Sequence, residues 1–323
     1  MSVTIKRIQP RRVKSTLRRP DKFYVYDDDE SDQSSNKTLT AECADHSTQT
    51  KGNQRQRLTV QKCLITPRRK LKRGKPKLMD WKKYHRLSVI YAFIEELERD
   101  YPAICTVSVI GKSVEGRDIK VKKHIIPVLN PDGYEYTHTH ERMWRKNRAR
   151  YGGECVGVDL NRNFSNGEEG SSDEPSHVFY RGPAPFSEPE TVAVRDTILG
   201  SVTPFKVFIS FHSYFELIIF PWGNRQDPCP DYLHLLEGGT VMARAIHETS
   251  GKTYKVGSTK DLTYYACGTS IDWSYSIAKI PYSYMVELRS KQHKFRLPKD
   301  QIIETCKEIW HAVKSLMDYV DEH

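Results

Sequence analysis

The sequence lacks any apolar run of the 18 or more residues that a membrane-spanning helix needs, so we expect no membrane span. Residues 1–19 also contain no apolar core of the length found in secretory signals, and we expect none in the chain as written. The seven cysteines are an odd number for a disulfide framework, and no two of them form a C-x-x-C pair. We therefore expect mostly free thiols and no structural zinc site of the C-x-x-C kind.

Surplus positive charge is confined to the first quarter of the chain. The formal net charge of +10 divides into +12 for residues 1–78 and −2 for residues 79–323. Residues 1–78 mix basic clusters with polar residues and offer little apolar area, which is typical of a disordered tail or linker. Such a tail could bind nucleic acid, acidic lipid or acidic protein. A solvated linker is the simpler interpretation, and nucleic acid is not an expected partner.

Residues 79–323 alternate amphipathic helices with apolar strands, which predicts one α/β domain. The join between its second and third predicted strands is too short for the usual connection. Only residues 122–124 are available there, whereas a parallel crossover needs a dozen or more. These two strands must merge or turn back tightly. Helices are predicted at 87–100, 188–199, 233–250 and 301–317, and strands at 104–110, 118–123, 125–129, 207–211, 217–220 and 282–288.

The apolar run 207–211 predicts a central strand that is buried on both faces. It ends at His212. Because ligands gather at the carboxyl ends of strands in open α/β sheets, His212 is a candidate metal ligand or acid–base group. On its own, a histidine at a strand end is more often a hydrogen-bonded structural residue.

Seven motifs follow one another in a fixed order: NPDGY (130–134), RKNR (145–148), GVDLNRNF (157–164), PFSEPE (185–190), HSY (212–214), GTSIDW (268–273) and ELR (287–289). Together they resemble the zinc metallocarboxypeptidases of the pancreatic carboxypeptidase A/B type. The resemblance runs from about residue 78 to the C-terminus. It implies a single mixed-sheet carboxypeptidase-like domain flanked by helices, with peptide or protein C-termini as the substrates.

The resemblance also implies a role for each matching residue in the chemistry. His212 matches the family's third zinc ligand, Glu287 matches the general base, and Arg148 matches the cation that polarises the scissile carbonyl. Removing a C-terminal residue needs these groups together with an anchor for the free carboxylate. Asn161 and Arg162 match that carboxylate clamp.

Three further positions match the part of the family's site that holds the substrate. Tyr264 corresponds to a mobile tyrosine that covers the site, and Tyr214 lies in the HSY motif and is expected to contact substrate. Ile271 lies where the family reads the C-terminal side chain. Since an acidic residue there selects Lys or Arg, an isoleucine favours an aliphatic or aromatic residue.

The family's first two zinc ligands, a His-x-x-Glu motif, are missing from the interval where they belong. That interval is the short join at 123–125, so a strand–helix segment that carries the motif is expected to be absent. Zinc sites contribute about 3–4 kcal/mol per ligand, so losing two ligands costs about 6–8 kcal/mol, or four to six decades of affinity. His124, His138 and His140 are the conceivable substitutes. The gap should also open the sheet and expose apolar surface.

Three functions therefore remain open. The chain could be a truncated form of a zinc exopeptidase, impaired because two of three zinc ligands are absent. It could be a pseudoenzyme that binds peptide C-termini without cleaving them. It could also be an interaction protein that acts through residues 1–78. The resemblance implies an extracellular setting, although no signal peptide is evident, and a monomer is expected.

Overall fold

The structure is a computed structural model that describes the backbone of Ser2–Arg7 and residues 79–122, 124–151 and 156–323. Most of the predicted disordered tail, residues 8–78, lies outside the described part of the chain. Within the described part, no helix is both long enough and apolar enough to cross a membrane.

A single mixed sheet of eight strands forms the centre of the fold, in the order β2-β3-β4-β1-β5-β8-β6-β7. The central pair β5 and β8 is parallel, whereas β6 runs antiparallel to β8. The strands are β1 (Ser2–Arg7), β2 (Val107–Lys112), β3 (Asp118–Lys122), β4 (Ile125–Ile126), β5 (Phe205–Ser213), β6 (Leu217–Phe220), β7 (Lys255–Ser258) and β8 (Tyr282–Leu288).

The helices flank this sheet as the amphipathic patterns predicted. The helices are α1 (Leu87–Asp100), α2 (Pro131–Thr139), α3 (Pro189–Leu199), α4 (Tyr232–Ser250), α5 (Thr259–Leu262), α6 (Ser270–Ser276) and α7 (Ile302–Glu322). Helix α4 ends at Gly251, whose φ of 68° is the left-handed conformation that glycine adopts most readily. Helix α6 was not among the predicted helices; Thr269 caps it by accepting the N–H of Asp272.

Alternate residues of β5 pack into two separate parts of the core. Phe208 packs with Val194 and Ile198 of α3. Val207 and Ile209 pack on the other side, in the cluster that includes residues of α4 and α7. Val207, Phe208 and Ile209 are fully buried and Phe211 is partly buried, so most of the predicted run forms a buried central strand.

The structure around β4 bears on two predictions from the sequence. The short join turns back tightly, because β3 and β4 pair antiparallel through Lys122 and Ile125. The expectation of an open sheet was wrong for this structure. Ser2–Arg7 forms a strand between β4 and β5, so the first residues of the supposed tail are not structureless. The run Val-Thr-Ile is rich in strand formers but is too short to predict a partner.

Candidate functional site

His212 and Glu287 lie side by side at one end of the sheet. They are register partners on the parallel strands β5 and β8, which brings their side chains to the same face. Both residues are half-buried. His212 Nε2 lies 3.0 Å from the Ser210 hydroxyl oxygen. The predicted metal ligand and the predicted base are therefore neighbours, as the resemblance implies.

Burial sets the protonation of both groups. Burial raises the pKa of Glu287 to about 7, although the positive charge of Arg145 opposes this shift. Burial lowers the pKa of His212 well below its ordinary value, and the charges of Arg145 and Arg162 lower it further. His212 is thus a neutral imidazole at neutral pH. The Glu287 Oε2 atom is buried and makes no hydrogen bond within the described residues.

Arg162 lies at the end of a 3₁₀ turn, Leu160–Arg162, and its guanidinium is held by hydrogen bonds on every side. Nε donates to the carbonyl of Gly170 at 2.6 Å, and Nη1 donates to the carbonyl of Asn161 at 2.8 Å. Nη2 donates to the hydroxyl of Tyr264 at 3.2 Å. The side chain is only 2% exposed. This is a permanent cation fixed in one orientation.

The loop that leads into α6 is hydrogen-bonded to the 3₁₀ turn Leu160–Arg162. The Asn161 side-chain oxygen accepts the N–H of Ser270 at 3.0 Å. Gly268, with φ of 73°, lets the loop approach so closely that a Cβ there would lie 2.1 Å from the carbonyl oxygen of Arg162. Both members of the predicted carboxylate clamp therefore lie in a fixed backbone framework.

A second arginine, Arg145, also acts on the site and was not among the residues predicted from the sequence. Arg145 donates through Nε at 2.9 Å, and its Nη2 lies 2.8 Å from the same oxygen of Asp159. This buried carboxylate outweighs burial and raises the pKa of Arg145. The ring of Phe179 lies 5.4 Å from the Arg145 guanidinium and 4.9 Å from that of Arg162. The three residues Arg145, Arg162 and Phe179 form one cationic wall.

Arg148 stacks on aromatic rings in the free protein, and its predicted role beside the scissile carbonyl stays a prediction. Its guanidinium stacks on Tyr136, 3.7 Å from the ring centroid, and on Trp144 at 4.7 Å. Its Nε lies 3.7 Å from a carboxylate oxygen of Glu115. The cation whose charge reaches Glu287 is Arg145. Both arginines belong to the RKNR motif, and the sequence does not say which of them faces the sheet.

The three remaining residues that were predicted to contact substrate differ in how exposed they are and in what they pack against. Tyr264 lies at the clamp and is 47% exposed, so it can contact a ligand. Tyr214 is half-buried and packs against Phe215 and Phe295, each with ring centroids 4.7 Å away. Ile271 is fully buried in the core beside Trp273. The predicted role of Ile271 in reading the last side chain stays a prediction.

The donor set at His212 does not fit a zinc ion. Among residues 79–122, 124–151 and 156–323, no group of three or more His, Cys, Asp or Glu side chains could hold a metal. The charged neighbours that act on His212 include two arginines, which repel a divalent cation. A catalytic zinc site characteristically has three protein ligands, and His212 supplies one.

The three histidines considered as substitute ligands lie away from this point. The ring of His124 packs on Phe205, at the far end of β5 from His212. Phe205 and His212 are seven residues apart along β5, which corresponds to about 23 Å. His138 and His140 are on or beside α2 and pack on Tyr134 and Tyr136. None of the three can complete a site at His212 in this structure.

A mixed sheet with a histidine and a glutamate at one end, beside a buried arginine clamp, defines the scaffold of a metallocarboxypeptidase. A sequence model of the zinc carboxypeptidase family matches residues 90–123 and 120–312. The chain therefore belongs to the zinc carboxypeptidase family. This confirms the resemblance that the seven motifs carried.

Named relatives agree with this assignment. Carboxypeptidase B of Astacus astacus is 33% identical over 300 residues, covering 76% of this chain and 99% of that protein. Carboxypeptidase A4 of Mus musculus is 41% identical over 208 residues, covering 63% of this chain and 49% of that protein. Bovine thrombin-activatable fibrinolysis inhibitor, in complex with tick carboxypeptidase inhibitor, superposes with a TM-score of 0.72 at 31% identity, covering 75% of this chain and 99% of that chain.

The alignments with the family also contain positions that have no counterpart in this chain. The two blocks of the family match meet at residues 120–123, next to the short join. In the alignment with Astacus astacus carboxypeptidase B, 76% of 323 residues is about 245, so about 55 of the 300 aligned positions have no counterpart here.

Proposed function

We propose that this chain binds the free C-terminal carboxylate of a peptide, with Arg162 and Asn161 as the clamp and Tyr264 above it. The observation that carries the proposal is the buried Arg162 guanidinium, which three hydrogen bonds hold in place beside an exposed tyrosine. A fixed guanidinium suits a carboxylate because its geometry is matched to two oxygens and its charge is permanent. A peptide that ends in an aliphatic or aromatic residue is the proposed ligand, from the match at Ile271.

Release of the terminal residue is proposed to be strongly impaired. Zinc, when bound in this family, supplies a Lewis acid and an activated water. Here His212 is the one matching ligand among the described residues. The missing ligands correspond to about 6–8 kcal/mol of zinc binding. The Glu287 carboxylate is still in place as a base, but a base without an activated water gives little hydrolysis.

Arg145 is proposed to be the cation that faces the bound peptide. It lies beside Arg162 on the Phe179 ring, and its charge acts on both His212 and Glu287. A cavity of about 450 Å³ next to it is lined by Trp144, Arg145 and Arg148. This cavity is proposed to hold the residues that precede the peptide's C-terminus, with Arg148 as one wall.

Calorimetric titration tests the proposal. A short peptide ending in phenylalanine should bind as the free acid and not as the C-terminal amide. Arg162→Ala should weaken binding of the acid by about 10- to 100-fold, since hydrogen bonds to charged groups contribute about 1.5–3 kcal/mol. Arg99→Ala, at an exposed position on α1, is the matched control and should change the affinity little. Equal binding of acid and amide would refute the carboxylate clamp.

A second candidate is a working exopeptidase in a longer form of the same protein. The observation that favours it is the set of about 55 aligned positions without a counterpart. A transcript that restores a His-x-x-Glu motif between residues 123 and 125 would support this candidate. The extracellular setting and the monomeric state remain predictions for either form.

A further inference from the structure

The sheet of this protein is completed by a strand from far away in the chain. Ser2–Arg7 pairs antiparallel with β5 over six residues, from Ser2 opposite Phe211 to Arg7 opposite Phe205. Its other edge pairs antiparallel with β4, with Val3 opposite Ile126 and Thr4 opposite Ile125. The strand is therefore hydrogen-bonded on both sides, as an interior strand must be.

Without this strand the sheet would fall into two parts. In the strand order, β2, β3 and β4 lie on one side of β1, and β5, β8, β6 and β7 lie on the other. The β5 edge opposite β8 would then present unpaired N–H and C=O groups beside residues that are fully buried, such as Val207 and Ile209. Unpaired backbone groups at such a depth are strongly unfavourable. The slot between β4 and β5 therefore needs a strand.

The location of the slot coincides with the gap in the family match. Strand β4 begins at Ile125, directly after the place where the two matching blocks meet. The strand–helix segment that is expected to be missing belongs to the same join. The expected missing strand and the strand Ser2–Arg7 are therefore both next to β4.

We infer that the slot between β4 and β5 is a strand-binding site and that Ser2–Arg7 is its occupant, taking the place of the absent family strand. The segment suits this role because Val3, Thr4 and Ile5 are all β-branched, the residues that strands favour. Its pairing also extends to Phe211, the residue before His212. The inserted strand therefore supports the end of β5 that carries the candidate site. This inference does not depend on the proposed function.

A proline substitution in the full chain tests the inference. Ile5→Pro removes an N–H from an interior strand, which such a strand does not tolerate. Amide hydrogen exchange across Phe205–Ser213 should accelerate by at least 10-fold. Lys14→Pro, outside the strand, is the matched control and should leave this exchange unchanged. Loss of protection throughout the Ile5→Pro chain, with the control intact, also supports the inference. Unchanged exchange in β5 overturns it.

A disulfide pair tests the register directly. Thr4 and Ile125 are register partners, and Ile125 is 44% exposed, so cysteine there perturbs little. The variant with Thr4→Cys and Ile125→Cys should form a disulfide under mild oxidation, detected by peptide mapping. The variant with Ile5→Cys and Ile125→Cys places the two cysteines on opposite faces and should not. Equal cross-linking in both variants, or in neither, contradicts the inserted strand.

Discussion

Arg162 donates a hydrogen bond of 3.2 Å from Nη2 to the hydroxyl of Tyr264, which joins the buried half of the candidate clamp to its exposed half. The tyrosine belongs to the loop that precedes α6, and the arginine belongs to the 3₁₀ turn. The bond therefore fixes one loop over the other. The free protein already holds the exposed ring beside the cation that the proposed ligand would contact.

Tyr264→Phe removes this hydroxyl and keeps the ring. A single hydrogen bond of this kind contributes about 0.5–1.5 kcal/mol, so binding of a peptide free acid should weaken by about 2- to 10-fold. Calorimetric titration measures the effect. Tyr101→Phe, at the exposed end of α1, serves as the control. A loss of 100-fold in Tyr264→Phe would show that the hydroxyl contacts the ligand itself.

Zinc affinity should be low in the purified chain. Equilibrium dialysis at micromolar free zinc should give well below one equivalent, because two missing ligands cost about four to six decades of affinity. His212→Ala should hold as little zinc as the unmodified chain. One tightly held equivalent that His212→Ala abolishes would mean that residues outside the described part complete the site.

Asp159→Asn should destabilise the fold. Its carboxylate is 3% exposed and pairs with Arg145, with Arg162 at 4.0 Å. Removing one partner of a fully buried pair costs about 3–5 kcal/mol, and the partial exposure of Arg145 reduces this to about 2–3 kcal/mol. Denaturant unfolding measures the change. Asp173→Asn, at an exposed carboxylate, should change stability by less than about 0.5 kcal/mol.

The stability of the fold should fall as pH rises through neutrality. Burial raises the pKa of Glu190 to about 7, although hydrogen bonds from Asn147 and the N–H of Val114 oppose the shift. The folded protein therefore holds a proton that the unfolded chain loses near pH 4.5. The stabilisation is fully present below about pH 4.5 and is lost as pH rises through about 7. It corresponds to about 3 kcal/mol at most.

Glu190→Gln should reduce the slope of this part of the pH profile, whatever its effect on absolute stability. Glu287, whose pKa burial also raises to about 7, accounts for part of the slope that is left. Glu248→Gln, at an exposed position on α4, is the control and should keep the slope of the unmodified chain. Chemical unfolding between pH 5 and pH 8 measures both. A slope that Glu190→Gln leaves unchanged would assign the pH dependence to other groups.

Much of the fold could be predicted from local patterns in the sequence. The bounds of α1, β6 and β8 agree with the predicted spans, because each has a clear helical or strand periodicity and a sharp boundary. His212 and Glu287 were both placed at strand ends, and the parallel register of β5 and β8 brings them together. These features depend on residues that are close in the sequence or on the pairing of two adjacent strands.

Features that depend on distant contacts could not be predicted in the same way. Arg145 and Arg148 are three residues apart in one motif, and only the packing of Asp159 and Tyr136 decides which faces the site. Ser2–Arg7 has too few residues to specify a partner. Its place in the sheet depends on pairing with β4 and β5, which are distant in the chain and which no local pattern specifies as partners.

The central claim is that this chain keeps the site for a peptide's terminal carboxylate and lacks the site for the metal. Calorimetric titration of the full chain with a phenylalanine-terminated peptide, in the presence of equimolar zinc and followed by chromatography of the same sample, tests both parts. We predict one-to-one binding of the free acid, no binding of the amide, and an intact peptide at the end. Release of free phenylalanine with turnover would contradict the claim.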